Sequence, residues 1–152
     1  MKVLFDTSVL VAAHLPTHPH YRDASAWLAC ALRGGCELVV WAHSLAEVYA
    51  VLTRLPATPP ITPAAAWQFL ENNVLSCAAV VALTREHYRE LVQQTAQSGL
   101  AGGMVYDAII SKAAEVAGTD HLLTFNVSHF QRVWQAGAAR VASPQTLVPP
   151  GP

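Results

Sequence analysis

Three acidic residues stand where the chain could assemble a metal site. Asp6 ends the apolar run that starts at Lys2, and Glu47 and Asp107 each lie in the first turn of a predicted helix. Carboxylate oxygens are the ligands that a hard cation such as Mg²⁺ takes, often completed by water. Without a cation, clustered carboxylates repel and raise one another's pKa. The pattern therefore predicts a shared site for Mg²⁺ or Mn²⁺ formed by these acids.

Each of these acids also has a purely structural interpretation, which the sequence alone leaves open. Asp6, or one of the two hydroxyl residues after it, could cap a helix by accepting the free N–H groups of its first turn. Glu47 could complete a capping box with Ser44, three residues before it. Asp107 could simply complement the positive end of a helix dipole. The joint position of the three acids favours the metal site.

The segment LLTFNVSHF at 122–130 adds neutral polar side chains to this set. Thr124 and Asn126 follow a predicted strand, so we expect them to reach the same edge of the sheet as the acids. Asn126 could hold a metal-bound water through its amide oxygen. Asn is also common in turns after strands, and the sequence does not decide between these roles.

Other residues have a stronger structural than chemical interpretation. His14, His18 and His20 lie in a Pro-rich loop without tight ligand geometry, so no zinc site is predicted there. Trp27, Trp67 and Tyr49 fall at helical spacing, which predicts that they pack in the core.

The hydrophobic pattern predicts the elements that must position the polar residues. Apolar runs indicate strands, and apolar residues at helical spacing indicate helices. Strands alternating with helices form a parallel sheet covered on both faces, an α/β fold. Ligands of such sheets bind beyond the carboxyl ends of the strands, where the strand order reverses. The predicted strands are 2–6, 37–41, 77–83 and 121–125, with a short one near 141, and the predicted helices are 7–13, 20–33, 44–55, 64–74, 84–97 and 104–118.

The composition is that of one folded domain, which we place at 1–146 with a loose tail at 147–152. Of the 152 residues, 53% are hydrophobic and 12% charged, and a net charge of -1 argues against a dense Lys and Arg coat for nucleic acid. So few charges are expected where a partner covers part of the surface. Cys30, Cys36 and Cys77 lack C-x-x-C spacing, which predicts reduced thiols in a cytoplasmic protein. No apolar run reaches about 18 residues, so no membrane span is predicted.

Four segments in this order resemble PIN-domain endoribonucleases, in particular the VapC-type toxins of toxin–antitoxin pairs. They are VLFDTSVL at 3–10, HSLAEVYAVLTRL at 43–55, YDAIISKAAEVAG at 106–118 and HLLTFNVSHF at 121–130. The resemblance covers essentially the whole chain. It implies a three-layer α/β/α fold with a central parallel sheet, a homodimer, and inhibition by a cognate antitoxin.

The resemblance also assigns roles to individual residues. Asp6, Glu47 and Asp107 map onto the metal-binding acids of the family. Asn126 maps onto a fourth site that is commonly Asp, and this departure removes a charge where a second metal would bind. The small hydroxyl residues near the family's site correspond to Thr7, Ser8 and Thr124.

The activity implied by the resemblance is hydrolysis of RNA phosphodiester bonds with Mg²⁺ or Mn²⁺. The metal would lower the pKa of a bound water and offset charge on the phosphate. Lys112 and Arg54 are candidates to grip the RNA, although a solvated helix face is the simpler interpretation of both. Two alternatives stay open. One is a PIN-like scaffold with a decayed site that only binds a partner or RNA. The other is an aspartyl-nucleophile phosphatase, although Ser8 stands where its D-x-D motif has the second acid.

Overall fold

One parallel sheet forms the centre of the molecule. The computed structural model describes residues 1–151, and within that range five strands pair in parallel throughout. They are β1 (Lys2–Phe5), β2 (Glu37–Trp41), β3 (Ala78–Val81), β4 (His121–Leu123) and β5 (Val141–Ala142). Their order across the sheet is β3-β2-β1-β4-β5. The chain therefore builds first to one side of β1 and then to the other, so the strand order reverses beside β1.

Helices connect and cover the strands much as the hydrophobic pattern predicts. The α-helices of residues 1–151 are α1 (Thr7–His14), α2 (Tyr21–Leu32), α3 (Ala42–Arg54), α4 (Pro63–Phe69), α5 (Arg85–Gln97), α6 (Met104–Ala117) and α7 (Val127–Val133). The helix predicted over 64–74 is α4 continued by a π-helical turn at Leu70–Leu75. No helix in this part of the chain is long and apolar enough to cross a membrane.

Alternating side chains of the central strands separate the molecule into three layers. Val3 and Phe5 of β1 belong to the core shared with α1 to α4. Leu4, between them, belongs to a second core shared with α5, α6 and α7. The strand β2 alternates in the same way, so the sheet is buried on both faces, as parallel sheets require. The expected three-layer α/β/α fold is confirmed.

Two features of the helical layers differ from the sequence expectations. The helix α7 and a 3-10 helix at Gln135–Arg140 were not predicted, because such short helices show no clear period. The prediction of core packing is confirmed for Trp27, which is fully buried, and wrong for Trp67 and Tyr49, which are 49% and 39% exposed. The helices α3 and α4 bury other faces, through residues such as Val48 and Phe69.

The C-terminal segment contacts α2. The Trp27 Nε1–H donates to the carbonyl oxygen of Leu147 at 3.0 Å, and Cys30 Sγ lies 3.7 Å from that of Pro150. The division between a domain at 1–146 and a loose tail at 147–152 stays a prediction. Pro152, the last residue of that tail, lies outside the described residues.

Candidate active site

Asp6 lies at the carboxyl end of the central strand, beside the reversal of strand order. Its backbone N–H donates to Leu123 O at 2.9 Å, which keeps the residue attached to the sheet. Its carboxylate is buried and accepts hydrogen bonds on Oδ2 from Ser8 Oγ at 2.6 Å and from Thr124 Oγ1 at 2.9 Å. Asp6 occupies the N-cap position of α1, but its side chain forms no capping hydrogen bond. The interpretation of Asp6 as a helix cap is therefore wrong.

Burial makes the negative charges at this edge unfavourable. It raises the pKa of Asp6, and the hydrogen bonds from Ser8 and Thr124 lower that pKa only in part. The pKa of Asp107, in the first turn of α6, is also raised, first by burial and then by the charge of Asp6. His129 lowers it, and His129 Nδ1 lies 3.9 Å from Asp107 Oδ2.

Neither Asp6 nor Asp107 is paired with Lys or Arg anywhere in residues 1–151. Two partly or fully buried carboxylates that repel each other are unfavourable unless a cation joins them. Perturbed acids of this kind often mark a functional site. The two carboxylates therefore repel each other in this fold, and the cation site at this edge stays a prediction beside the structural role of Asp107 at the helix dipole.

Glu47 is connected to the same edge through Thr7. The Thr7 Oγ1 hydroxyl donates to Glu47 Oε2 at 2.7 Å, which joins the start of α1 to the second turn of α3. The capping-box interpretation of Glu47 is wrong, because α3 begins at Ala42 and Ser44 lies inside it. The Ser44 hydroxyl is fully buried and has no hydrogen-bond partner among the described residues.

Thr124 and Asn126 reach this edge, as predicted. Thr124 is fully buried, and its Oγ1 donates to Asp6 and accepts from the Asn126 N–H at 3.0 Å. Asn126 is exposed and lines the same groove as Asp6. The end of β4 thus supplies one hydroxyl that orients the central acid and one amide beside it.

The groove along these residues has a volume of about 560 Å³, within the range of pockets that bind small ligands. A separate cavity of about 260 Å³ lies between α5, α6 and Trp134 and contains none of the predicted site residues. Lys112 lines that second cavity, where its Nζ pairs with Glu115 at 3.2 Å. Lys112 therefore does not contribute to the groove that contains Asp6.

The donor set at this edge of the sheet suits a hard cation. Asp6, Glu47 and Asp107 offer carboxylate oxygens, and Asn126 adds an amide oxygen; of the three acids, Asp6 lines the groove and Glu47 and Asp107 lie outside its lining. Within residues 1–151, no three acidic, His or Cys side chains converge into a ready-made ligand cluster. Mg²⁺ commonly binds through one or two carboxylates and keeps several waters, so a closed cluster is not required. The assignment of individual residues as metal ligands stays a prediction.

Residues that were not assigned to the site also lie beside it. His129 approaches Asp107, but it lies on the unpredicted helix α7, so no sequence signal pointed to it. His18, His20 and Phe125 line the groove with Asp6. From the sequence, the two histidines were considered only as zinc ligands, and no zinc site was predicted. The signal that could have identified them is that both side chains are aromatic, like that of Phe125.

Comparisons with known proteins agree with this fold. A family model described as PIN domain matches residues 3–134. Ribonuclease VapC40 of Mycobacterium tuberculosis is 36% identical over 113 residues, which cover 74% of this chain and 78% of that protein. The crystal structure of VapC20 from the same organism, a sarcin-ricin loop cleaving toxin, matches with a TM-score of 0.65 at 14% identity, over 84% of this chain and 92% of that chain. A chain of VapBC2 from Rickettsia felis, solved bound to a DNA fragment from their promoter, matches with a TM-score of 0.66 at 20% identity, over 94% and 98%.

The chain belongs to the PIN domain family, since the family model covers most of its length. The solved structures, at this low identity, bear on the fold alone. The relationship to VapC40 places the chain more narrowly among the VapC-type endoribonucleases.

Proposed function

We propose that this chain is a Mg²⁺- or Mn²⁺-dependent endoribonuclease and the toxin of a VapBC-type toxin–antitoxin pair. The observation that carries the proposal is the pair Asp6 and Asp107. The pKa of each is raised, and the charge of Asp6 contributes to the shift at Asp107. In a chain related to a protein named as a ribonuclease, such a pair at the end of the central strand supports metal-dependent cleavage of RNA.

Asp6 and Asp107 would hold the cation, with Glu47 as the third acid and Asn126 beside them. The metal, when bound, lowers the pKa of a water and offsets charge on the phosphate. The hydroxyls of Ser8 and Thr124 fix Asp6 through its Oδ2. Thr7 fixes Glu47 in the same way. These hydroxyls therefore position the acids before substrate binds, which lowers the cost of reorganisation during the reaction.

Asp107 is the acid best suited to accept a proton from the attacking water. Its side chain is 21% exposed, so water can reach it. His129, 3.9 Å away, can stabilise the charged form of the same carboxylate.

We extend the proposal to a cognate antitoxin, a homodimer and a cytoplasmic location. Tyr49, Val51 and Trp67 are exposed apolar residues on α3 and α4, and Val51 also lines the groove. An exposed apolar surface of this kind suits an amphipathic helix of a partner. The Rickettsia felis neighbour, the pair VapBC2, supports an antitoxin as that partner.

The test is cleavage of an RNA mixture by the purified chain with Mg²⁺ or Mn²⁺. Parallel reactions contain EDTA, the Asp6→Asn variant, or Asp23→Asn, a matched change on α2 outside the groove. We expect cleavage by the parent and by Asp23→Asn, and loss of cleavage with EDTA and with Asp6→Asn. Cleavage by Asp6→Asn at the parental rate would show that the proposed site is wrong.

A binding measurement separates an enzyme from a decayed scaffold. Calorimetric titration with Mn²⁺ should show binding to the parent and much weaker binding to Asp6→Asn. Metal binding without cleavage of any RNA would favour a scaffold. Absence of both would contradict the proposal as a whole.

A further inference from the structure

Three aromatic rings extend the groove beyond the acids. The rings of His20 and Phe125 stack, with centroids 4.5 Å apart and planes inclined by 22°. The His18 ring lies 5.6 Å from that of His20 and 6.2 Å from that of Phe125. These three residues, the aromatic cluster, line the same groove as Asp6.

Polar contacts hold the aromatic cluster in place. Gln145 Nε2 lies 3.1 Å from His20 Nδ1, and the His20 N–H donates to His18 Nδ1 at 3.2 Å. The Phe125 N–H donates to Ser8 Oγ at 3.5 Å, and Ser8 in turn donates to Asp6. Ser8 therefore bridges the aromatic cluster and Asp6. Because only this residue lies between them, a ligand that reaches Asp6 also reaches the rings.

The lining of the groove limits what the aromatic cluster can bind. In the structure of residues 1–151, no Lys or Arg lines this groove, whereas Val11 and Val51 add apolar surface to the rings. The groove is therefore poorly suited to grip a phosphate backbone through basic side chains. Flat aromatic rings next to aliphatic side chains instead suit the flat face of a nucleobase. Unpaired bases of RNA are commonly stacked on aromatic side chains, His included.

We propose that the aromatic cluster is a stacking platform for an unpaired base of the RNA next to the phosphate that is cut. This inference rests on the proposed function, because it places the base beside the acids that would perform the hydrolysis. Gln145 is a positioning residue in this arrangement, since it contacts the ring of His20 and not the groove itself. The platform explains how an acidic groove can retain RNA, and it requires a strand whose bases are free to stack.

The test measures binding of a short fluorescein-labelled RNA of mixed sequence by fluorescence anisotropy. A second probe is the same single strand with its bases removed, and a third is a fully paired RNA duplex. The Asp6→Asn background keeps the RNA intact and removes the repulsion of that carboxylate. In this background, His20→Ala is compared with two control variants. His20→Phe keeps an aromatic ring, and His87→Ala changes a histidine of α5 outside the groove.

We expect the single strand with bases to bind more tightly than the abasic strand or the duplex. His20→Ala should weaken binding of the base-bearing strand about fivefold or more and leave binding of the abasic strand unchanged. His20→Phe and His87→Ala should keep the preference for bases. Equal binding of the base-bearing and abasic strands by the Asp6→Asn chain, or an unchanged preference when His20→Ala is added to it, would overturn the proposal. Loss of antitoxin binding in His20→Ala with RNA binding unchanged would overturn it as well, by assigning the cluster to a protein contact.

Cleavage by the chain with native Asp6 separates this inference from the proposed function. Metal-dependent cleavage that His20→Ala leaves unchanged, together with base-independent binding, refutes the platform but keeps the endoribonuclease. A base preference that depends on His20, in a chain that cuts no RNA, keeps the platform and refutes the proposed activity.

Discussion

Replacement of Thr124 by Val tests whether a buried hydroxyl holds the central acid in place. Thr124 is fully buried, and its Oγ1 donates to Asp6 Oδ2 at 2.9 Å. Val has nearly the same shape but cannot donate, so the change removes the hydrogen bond without leaving a large cavity. It also removes the acceptor of the Asn126 N–H, which lies at 3.0 Å. The single variant therefore reports on both hydrogen bonds, and comparison with the Asp6→Asn background isolates the bond to the carboxylate.

The expected loss of stability follows from the charge of the acceptor. A hydrogen bond to a charged group contributes about 1.5–3 kcal/mol, against about 1 kcal/mol for a neutral pair. We therefore expect Thr124→Val to lower the free energy of unfolding of the metal-free chain by about 2 kcal/mol at a pH above the raised pKa of Asp6, where the carboxylate is charged. In a chain of this size that corresponds to a fall in Tm of roughly 4–8 °C. Urea unfolding and thermal denaturation in EDTA measure both quantities.

Three further variants make the result interpretable. Thr95→Val removes a similarly buried hydroxyl that donates to the neutral carbonyl of Leu91 at 2.8 Å, so it should cost only about 1 kcal/mol. Thr124→Ser keeps the hydroxyl and should recover much of the loss. In the Asp6→Asn background, Thr124→Val should cost less, because the acceptor is no longer charged. Equal costs for the Thr124 and Thr95 variants, or an unchanged cost in that background, would refute the reasoning.

The remaining predictions concern the charge of Asp6 and two structural positions. Because the pKa of Asp6 is raised in the fold, the folded chain binds this proton more tightly than the unfolded chain does. The metal-free parent should therefore lose stability relative to Asp6→Asn as the pH rises from 3.8, the ordinary pKa of Asp, through the raised pKa of Asp6. Urea unfolding measures the difference in free energy of unfolding between the two chains, and a difference that does not grow across this pH range would contradict the prediction. Phe130→Ala should cost about 3–5 kcal/mol by thermal denaturation, since the ring is fully buried under the sheet, and a loss below about 1 kcal/mol would place the ring elsewhere. Gly118→Ala should cost about 1 kcal/mol, because Gly118 ends α6 at a φ of 64°, and a stabilised variant would argue against that left-handed conformation.

The sequence predicts the parts of the site that follow from strand ends. An apolar run followed by Asp6, and a later run followed by Thr124 and Asn126, are local patterns. The rule for parallel sheets brings them to one edge, and the structure does the same through the neighbouring strands β1 and β4. These features could be predicted because they depend on the period of the strands and on one topological rule.

The contacts between elements could not be predicted in the same way. The S-x-x-E pattern at Ser44 and Glu47 is compatible with a capping box, yet Glu47 is bound by Thr7 of another helix. The approach of His129 to Asp107 depends on α7, whose seven residues are too few to show a helical period. Such pairings are set by how helices pack on the sheet, and a single sequence carries no local signal for them.

Polar groups that are buried without an ideal partner occur at the edge of the sheet that carries the acids. Asp6 is a buried carboxylate without a cationic partner in the described chain, and Ser44 is a buried hydroxyl without a hydrogen bond. His121 Nδ1, at the start of β4 and so at the opposite edge, is also buried without a hydrogen bond to any of residues 1–151. Asp6 accepts hydrogen bonds from Ser8 and Thr124, but its burial, like that of the Ser44 hydroxyl, carries a desolvation cost that the apolar cores on both faces of the sheet must offset. Exceptions of this kind concentrate at sites shaped by function, since the rest of the fold must offset their cost. Here Asp6 lies beside the reversal of strand order, where a ligand would bind. The cation proposed for this site would offset the unfavourable burial of the Asp6 charge, which the hydrogen bonds from Ser8 and Thr124 offset only in part.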